Sequence, residues 1–336
     1  MSSEVALIQV PPAITVEAQL HIKKMRGGAQ SHMVRCSDGK FYVVKFRNNP
    51  QHPRVLANEM FATRLAATIG LQVPATAAVE VGGWLVERTP EMCIQFAHKN
   101  VPCEVGIHFG SQYVVDPLQG QVMDFFPAEM LYRVRNLNTF LGILVVDKWL
   151  GNTDGRQAAF WRFGHERKYR ASFIDQGYCF NAGDWTFPDF PLRGIYARNE
   201  VYDSVVGWDS FEPWLSRVEN MNEDVIWSIA AQIPSRWYGG RWEDLKTLVN
   251  SVCSRRTVIR CLIEAFRLSP RRPFPNWKHQ VYRPATQAPQ KESIQSGESR
   301  VEEGTEERSR SQAGGVMFLK RSEPSGGKMA GKDGLP

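Results

Sequence analysis

Two aspartates, 21 positions apart, open the reading of this chain. Asp154 sits in the polar run Gly151-Asn152-Thr153-Asp154-Gly155-Arg156-Gln157, directly after an apolar stretch of helical texture. Asp175 closes the apolar pair Phe173-Ile174 and is followed by Gln176-Gly177. A carboxylate at the mouth of a loop can accept the proton of an attacking hydroxyl. One that ends a strand before a glycine turn can hold Mg²⁺ between nucleotide phosphates. Three pieces upstream fit the same chemistry. Lys45 lies between Val44 and Phe46 in an apolar strand, where an amine either snorkels to solvent or reaches an anion. Glu59 falls in the next helical stretch, on a face that Leu56 and Met60 turn toward that strand. A helix Glu placed there could pair with the strand Lys and fix it. The run Arg26-Gly27-Gly28-Ala29-Gln30-Ser31 would let backbone N–H groups approach phosphate oxygens. Two glycines before a strand are also what an ordinary turn requires.

The elements that must position these residues can be read from pattern. Segments 31–40 and 41–46 flank Ser37-Asp38-Gly39, a hairpin signal, so Lys45 belongs to the second strand. Apolar stripes at helical spacing predict a helix over 53–70, stopped by Gly70. Strands are predicted over 75–81 and 84–87, joined by Gly82-Gly83, and a long helix over 128–150. A strand pair is predicted at 158–162 and 171–174, with helices over 222–233, 242–252 and 257–268. No internal repeat is visible. This order is α+β.

Composition narrows the class. The chain has 336 residues, 43% hydrophobic, and a net charge of +6, so it can bury a sizeable core. A charge this small carries no nucleic-acid footprint by itself, and no nucleic-acid-reading motif accompanies it, so direct nucleic-acid binding is not expected. The six cysteines contain no C-x-x-C pair, which reads as reduced thiols rather than a disulfide frame or zinc site. No apolar run approaches the length of a membrane span, and the first residues lack a signal-peptide pattern. A cytoplasmic location without membrane contact is expected. The seven histidines show no metallohydrolase spacing, and there is no G-x-S-x-G elbow. From Pro284 onward, 53 residues hold 8 Gly and 7 Ser but only six Phe, Ile, Leu or Val, so 284–336 reads as a disordered tail.

Taken together, these pieces resemble the HipA-like kinase family. Gly28-Ala29-Gln30 resembles that family's phosphate loop, and Thr153-Asp154-Gly155 resembles its catalytic loop. Asp147-Lys148-Trp149 and Phe173-Ile174-Asp175-Gln176-Gly177 resemble phrases of its compact members. The resemblance spans roughly 20–270 and implies a two-lobed protein-kinase-like fold, with a strand-rich N-lobe carrying one helix and a mainly helical C-lobe. It divides the chain into an N-terminal extension 1–20, a kinase domain 21–283 with lobes at about 21–95 and 96–283, and the tail 284–336.

By the same resemblance ATP and Mg²⁺ are the cofactors. Gly27, Gly28, Ala29, Gln30 and Ser31 would line the phosphates, Lys45 would hold them and Glu59 would orient Lys45. Asp154 would be the base and Asp175 the Mg²⁺ ligand. Arg156, which replaces the loop His of the family, would support the developing phosphoryl charge or pin the loop to a nearby acid or carbonyl. Ser31 occupies a position where relatives are autophosphorylated.

One departure stands out. Five residues after the catalytic Asp the family has a metal-binding Asn, and here that position is Ala159, which offers no oxygen. Asn152 or Gln157 could stand in, though at a different offset. The reading is a Ser/Thr protein kinase acting on an unidentified phosphoacceptor. The alternatives are a nucleotide-binding pseudokinase serving as an interaction module, and a lipid or small-molecule kinase. An antitoxin partner is not inferred, because the chain shows no DNA-reading element.

Overall fold

A computed structural model describes residues 12–278. The tail expected over 284–336 lies outside the described residues. The first half is built on strands. β1 (Ile14–Lys24), β2 (His32–Cys36), β3 (Phe41–Lys45), β4 (Thr76–Val81) and β7 (Gly106–Gln112) form a closed barrel in the order β1-β2-β3-β7-β4. The β2–β3 hairpin turns at Ser37-Asp38-Gly39, with Gly39 at φ +78°. Asp38 fixes the turn by accepting from the Lys40 N–H (3.0 Å) and the Tyr42 hydroxyl (2.9 Å). Val16, Val34, Tyr42, Val44, Val79 and their neighbours fill the barrel, as period-2 alternation requires. A separate hairpin, β5 (Cys93–Phe96) with β6 (Lys99–Pro102), lies beside it in the chain.

Helix α1 (Arg54–Thr68) is buried on nearly every side. Its Leu56, Phe61 and Leu65 join the larger core, which continues through α3 (Thr139–Trp149) and the later helices. The buried surface of α1 also carries Asn58, Glu59, Thr63 and Arg64, so polar groups as well as apolar ones are enclosed by neighbouring elements. β8 (Gly120–Met123), β9 (Gln157–Phe163) and β10 (Arg170–Ile174) make an antiparallel sheet in the order β10-β9-β8. The remainder is α4 (Trp214–Glu219), α5 (Glu223–Ala230), α6 (Trp242–Ser254) and α7 (Ile259–Arg267), linked by short 3-10 turns. The architecture is α+β. Among the described residues no helix is long and apolar enough to cross a membrane.

Several expectations are corrected. β1 begins at Ile14 and pairs in parallel with β4, so part of the expected extension 1–20 belongs to the barrel. β7 inserts between β3 and β4, which carries the strand-rich part past the expected boundary at 95 to residue 112. Segment 84–87 is not a strand: it lies within α2 (Gly83–Arg88), a second helix in this half, whose Leu85 plugs the barrel core. The helix expected over 128–150 is broken. A 3-10 turn at Ala128–Arg133 ends where Val134 bridges Tyr169, and α3 starts only at Thr139. Between them Asn136 accepts from the Ala171 N–H (2.8 Å) and donates to the Ala171 carbonyl (2.8 Å). That pairing ties residue 136 to the β10 edge and leaves 135–138 as turns, so the helix does not run through.

Candidate active site

Three elements deliver charged groups to one point. Val44 faces the barrel core, so alternation turns Lys45 to the other face of β3, where it is 8% exposed. Its ammonium pairs with Glu59 of α1 and with Asp175 Oδ1 at 2.7 Å. Asp175 follows β10 in the left-handed region, at φ +60°, a conformation Asp tolerates better than most residues. Gly177 lets this turn lie against α1, because a Cβ there would come within 2.6 Å of Val55 Cγ1. Asn58, one residue before Glu59, donates to the carbonyls of Gly177 (2.8 Å) and Ala182 (2.7 Å). Helix α1 therefore holds both the glutamate and the turn that carries Asp175.

The charges are mutually dependent. Burial alone would lower the Lys45 pKa, but the Glu59 and Asp175 carboxylates outweigh it and hold the amine above its usual value. Burial works against ionised Asp175 as well, yet Lys45 keeps its carboxyl below the ordinary range. Glu59 is pushed up by burial more strongly than Lys45 pulls it down. Removing Lys45 would leave two carboxylates facing each other.

The Asp154 loop is shaped from within. Asn152 donates to Asp147 Oδ1 (2.9 Å) and accepts from the Asp154 N–H (3.0 Å). Asp154 Oδ1 accepts from the Gly155 N–H (2.7 Å), and the Asp154 carbonyl accepts from Gly194 (2.9 Å). The Asp154 side chain belongs to a partly exposed residue. Arg156 does not stand beside it as an exposed cation. Its side chain is 1% exposed and paired with Asp147, the Nε–Oδ2 distance being 2.8 Å. It also donates to the Ile174 carbonyl and Gln176 Oε1, both at 2.9 Å. Arg156 thus ties the Asp154 loop to the Asp175 turn, the pinning arrangement rather than the phosphoryl-facing one. Burial would lower its pKa, but Asp147 raises it further.

The glycine loop is also anchored. Gly27 adopts φ +122° and Gln30 φ +48°. The Gln30 side chain donates to the Gln95 carbonyl (2.7 Å), accepts from the Gln95 N–H (2.8 Å) and accepts from Lys24 Nζ (2.7 Å). Its amide acts as one more strand partner for β5, so Gln30 positions the loop and is not free for phosphate. Ala29 and Ser31 are buried, leaving the backbone of Gly27 and Gly28 as the accessible part. Gly28 lies over Gln51, whose Nε2 donates to the Tyr178 hydroxyl at 3.3 Å.

The proposed metal ligands divide. Gln157 Nε2 donates to Asp175 Oδ2 at 3.0 Å, placing this exposed amide next to the aspartate. Asn152 is buried and spent on Asp147 and the Asp154 N–H, so it is not brought to Asp175. Ala159 lies inside β9 opposite Ser172, 4% exposed. Among the described residues no group of three or more His, Cys, Asp or Glu gathers as a metal set. Mg²⁺ needs only one or two carboxylates beside phosphate oxygens and water, a demand the Asp175 carboxylate can meet, whereas Gln157 turns its Nε2 and not its oxygen toward it.

Sequence reasoning missed Asp147, Asn58 and Gln51 as site-building residues. Asp147 carried a signal: a carboxylate after the apolar run 143–146 demands a buried cation. Asn58 and Gln51 carried none, since their partners lie more than a hundred residues away.

A family model described as HipA-like kinase matches residues 19–266. Among solved structures, the Helicobacter pylori proinflammatory kinase CtkA is similar at 18% identity and a TM-score of 0.48, over 77% of this chain and 100% of that one. A hydra Fam20 structure with sugar gives 10% identity and a TM-score of 0.49, over 75% and 86%. The Golgi casein kinase with Mn/ADP bound gives 10% and 0.41, over 76% and 74%. A search of curated protein sequences finds no significant match.

Proposed function

The chain belongs to the HipA-like kinase family, and on that premise we propose that it is a two-lobed, ATP- and Mg²⁺-dependent phosphotransferase that phosphorylates Ser/Thr hydroxyls of a protein. The observation that carries this reading is the meeting of Lys45, Glu59 and Asp175 from three separate elements. Lys45 is the amine for the nucleotide phosphates, and Glu59 fixes its position. The Gly27 and Gly28 backbone approaches the same phosphates. Asp175, with the Gln157 amide turned so that its oxygen faces the ion, would hold Mg²⁺, which would supply neutralisation of the phosphate charge.

Asp154 orients the acceptor hydroxyl and takes its proton as the oxygen bonds to the γ-phosphorus. The bond from that phosphorus to the bridging oxygen breaks, and ADP leaves with the electron pair. Arg156 is a positioning residue: it fixes the spacing between the base and Asp175 through Asp147 and the Ile174 carbonyl.

Ala159 favours a second reading, a pseudokinase that binds nucleotide without transferring phosphate, because the residue contributes no metal ligand. A lipid or small-molecule acceptor is the third. Intact-mass spectrometry after incubation with ATP and Mg²⁺, beside Asp154→Ala, tests the choice. A gain of whole phosphates only in the native sequence supports the kinase. Nucleotide binding with no transfer to itself, to protein lysate, to sugars or to lipids supports the pseudokinase.

A further inference from the structure

A second charged cavity lies away from the Lys45 cluster, where β3 runs out, α1 begins and the 3-10 turn Ser235–Tyr238 packs against them. Its volume is about 460 Å³, within the range of small-ligand pockets. Arg47, Arg54, Arg236 and Arg241 line it, with Glu104 and the aromatic pair Trp237 and Tyr238.

The charges do not cancel. Arg47 is committed to Glu104, its Nε lying 2.9 Å from the carboxylate. Arg54 and Arg241 share a single carboxylate, Asp244, the latter at 3.0 Å. Arg236 is exposed and makes no hydrogen bond or ion pair among the described residues, its charge reaching Glu104 only from a distance. Four guanidinium groups therefore face two carboxylates. Helix α1 brings no opposing charge, since its first turn holds no acidic residue, and His52 Nδ1 accepts from the Arg54 N–H at 3.0 Å. His52, on the rim, responds to the same surroundings: burial first, then the Arg54 charge, lower its pKa. A wall with this charge excess and forked donors suits a doubly charged, multi-oxygen anion better than a single carboxylate.

We propose that this cavity binds a phosphomonoester, with Arg236 and Arg241 as its accessible clamp. The two sources of that chemistry are a phosphorylated side chain on a peptide and a small free phosphate compound. Occupancy bears on the Lys45 site through one element. Arg54 opens the helix that carries Glu59 five residues later, and it donates to the Gly183 carbonyl (3.1 Å) in the segment following Asp175.

The test is a titration of the full chain without nucleotide, followed by tryptophan fluorescence, which Trp237 and Trp185 make responsive near the cavity. The probes are inorganic phosphate, a phosphoserine peptide and the same peptide unphosphorylated. Saturable binding of a phosphate-bearing probe is expected, weakened at least tenfold in the double variant Arg236→Ala/Arg241→Ala. Both side chains lie at the surface, so an unchanged thermal midpoint will show that the fold is intact. Tighter binding of the phosphopeptide than of phosphate assigns a peptide ligand, and equal binding assigns a small one. Absence of saturation by any probe into the millimolar range overturns the proposal. So does saturable binding that the double variant leaves unchanged. Neither result depends on whether the Lys45 site transfers phosphate.

Discussion

Arg156 and Asp147, nine residues apart, form an ion pair whose side chains are 1% and 0% exposed, and the loop bearing Asp154 is strung between them. Such a pair adds little net stability over an apolar replacement, but losing one member strands a buried charge. Arg156→Ala is therefore expected to cost about 3–5 kcal/mol in urea unfolding. Arg156→Lys should recover only part of this, because one ammonium cannot serve Asp147, the Ile174 carbonyl and Gln176 together. A loss below about 1 kcal/mol, the range of a surface pair, would contradict the assignment.

Asp154 is exposed enough to be changed without disturbing the core. Asp154→Asn should lower the rate of phosphate transfer by about 10²–10⁴, the usual contribution of a general base. Nucleotide affinity and thermal midpoint should stay as they are. If affinity falls in parallel with rate, Asp154 belongs to the nucleotide seat instead.

Glu59→Gln keeps the shape of the side chain but removes the charge that holds Lys45. The expected signature is a raised KM for ATP together with a lowered kcat, since Lys45 would then swing to Asp175 alone. A variant with native kinetics would show that Glu59 only fills space.

Acid should loosen the barrel. His32 and His108 are buried on β2 and β7, and burial lowers both pKa values from 6.5 to about 4. The unfolded chain binds protons below about pH 6.5 while the native barrel resists them until about 4, so stability is lost as pH falls through that window. Each histidine is expected to cost about 2 kcal/mol between pH 7 and pH 5. Urea midpoints at the two pH values measure this, and His32→Asn should flatten the dependence. A stability that is constant or rises on acidification would refute it.

What the sequence shows of this molecule follows the range of its interactions. The hairpin with Lys45, helix α1 with Glu59 and the strand leading to Asp175 are local patterns, and the structure places all three where spacing predicts them. β7 could not be seen as a barrel strand, because its partners β3 and β4 precede it by 25 residues or more. The break before α3 depends on Asn136 and Val134 meeting residues 169–171. Within the site, residue type identified Arg156 and Gln30 as important but not their direction. Arg156 turned inward because Asp147 lies on the buried face of α3, and Gln30 was taken up by the unpaired edge of β5.

Lys45, Glu59 and Asp175 are proposed as the seat of a magnesium nucleotide. Calorimetric titration with ATP, with and without Mg²⁺, tests it most directly, using the native chain and Lys45→Met. Saturable binding that needs Mg²⁺ and weakens at least tenfold in the variant is expected. No binding by the native chain, or equal binding by a folded Lys45→Met protein, would contradict it.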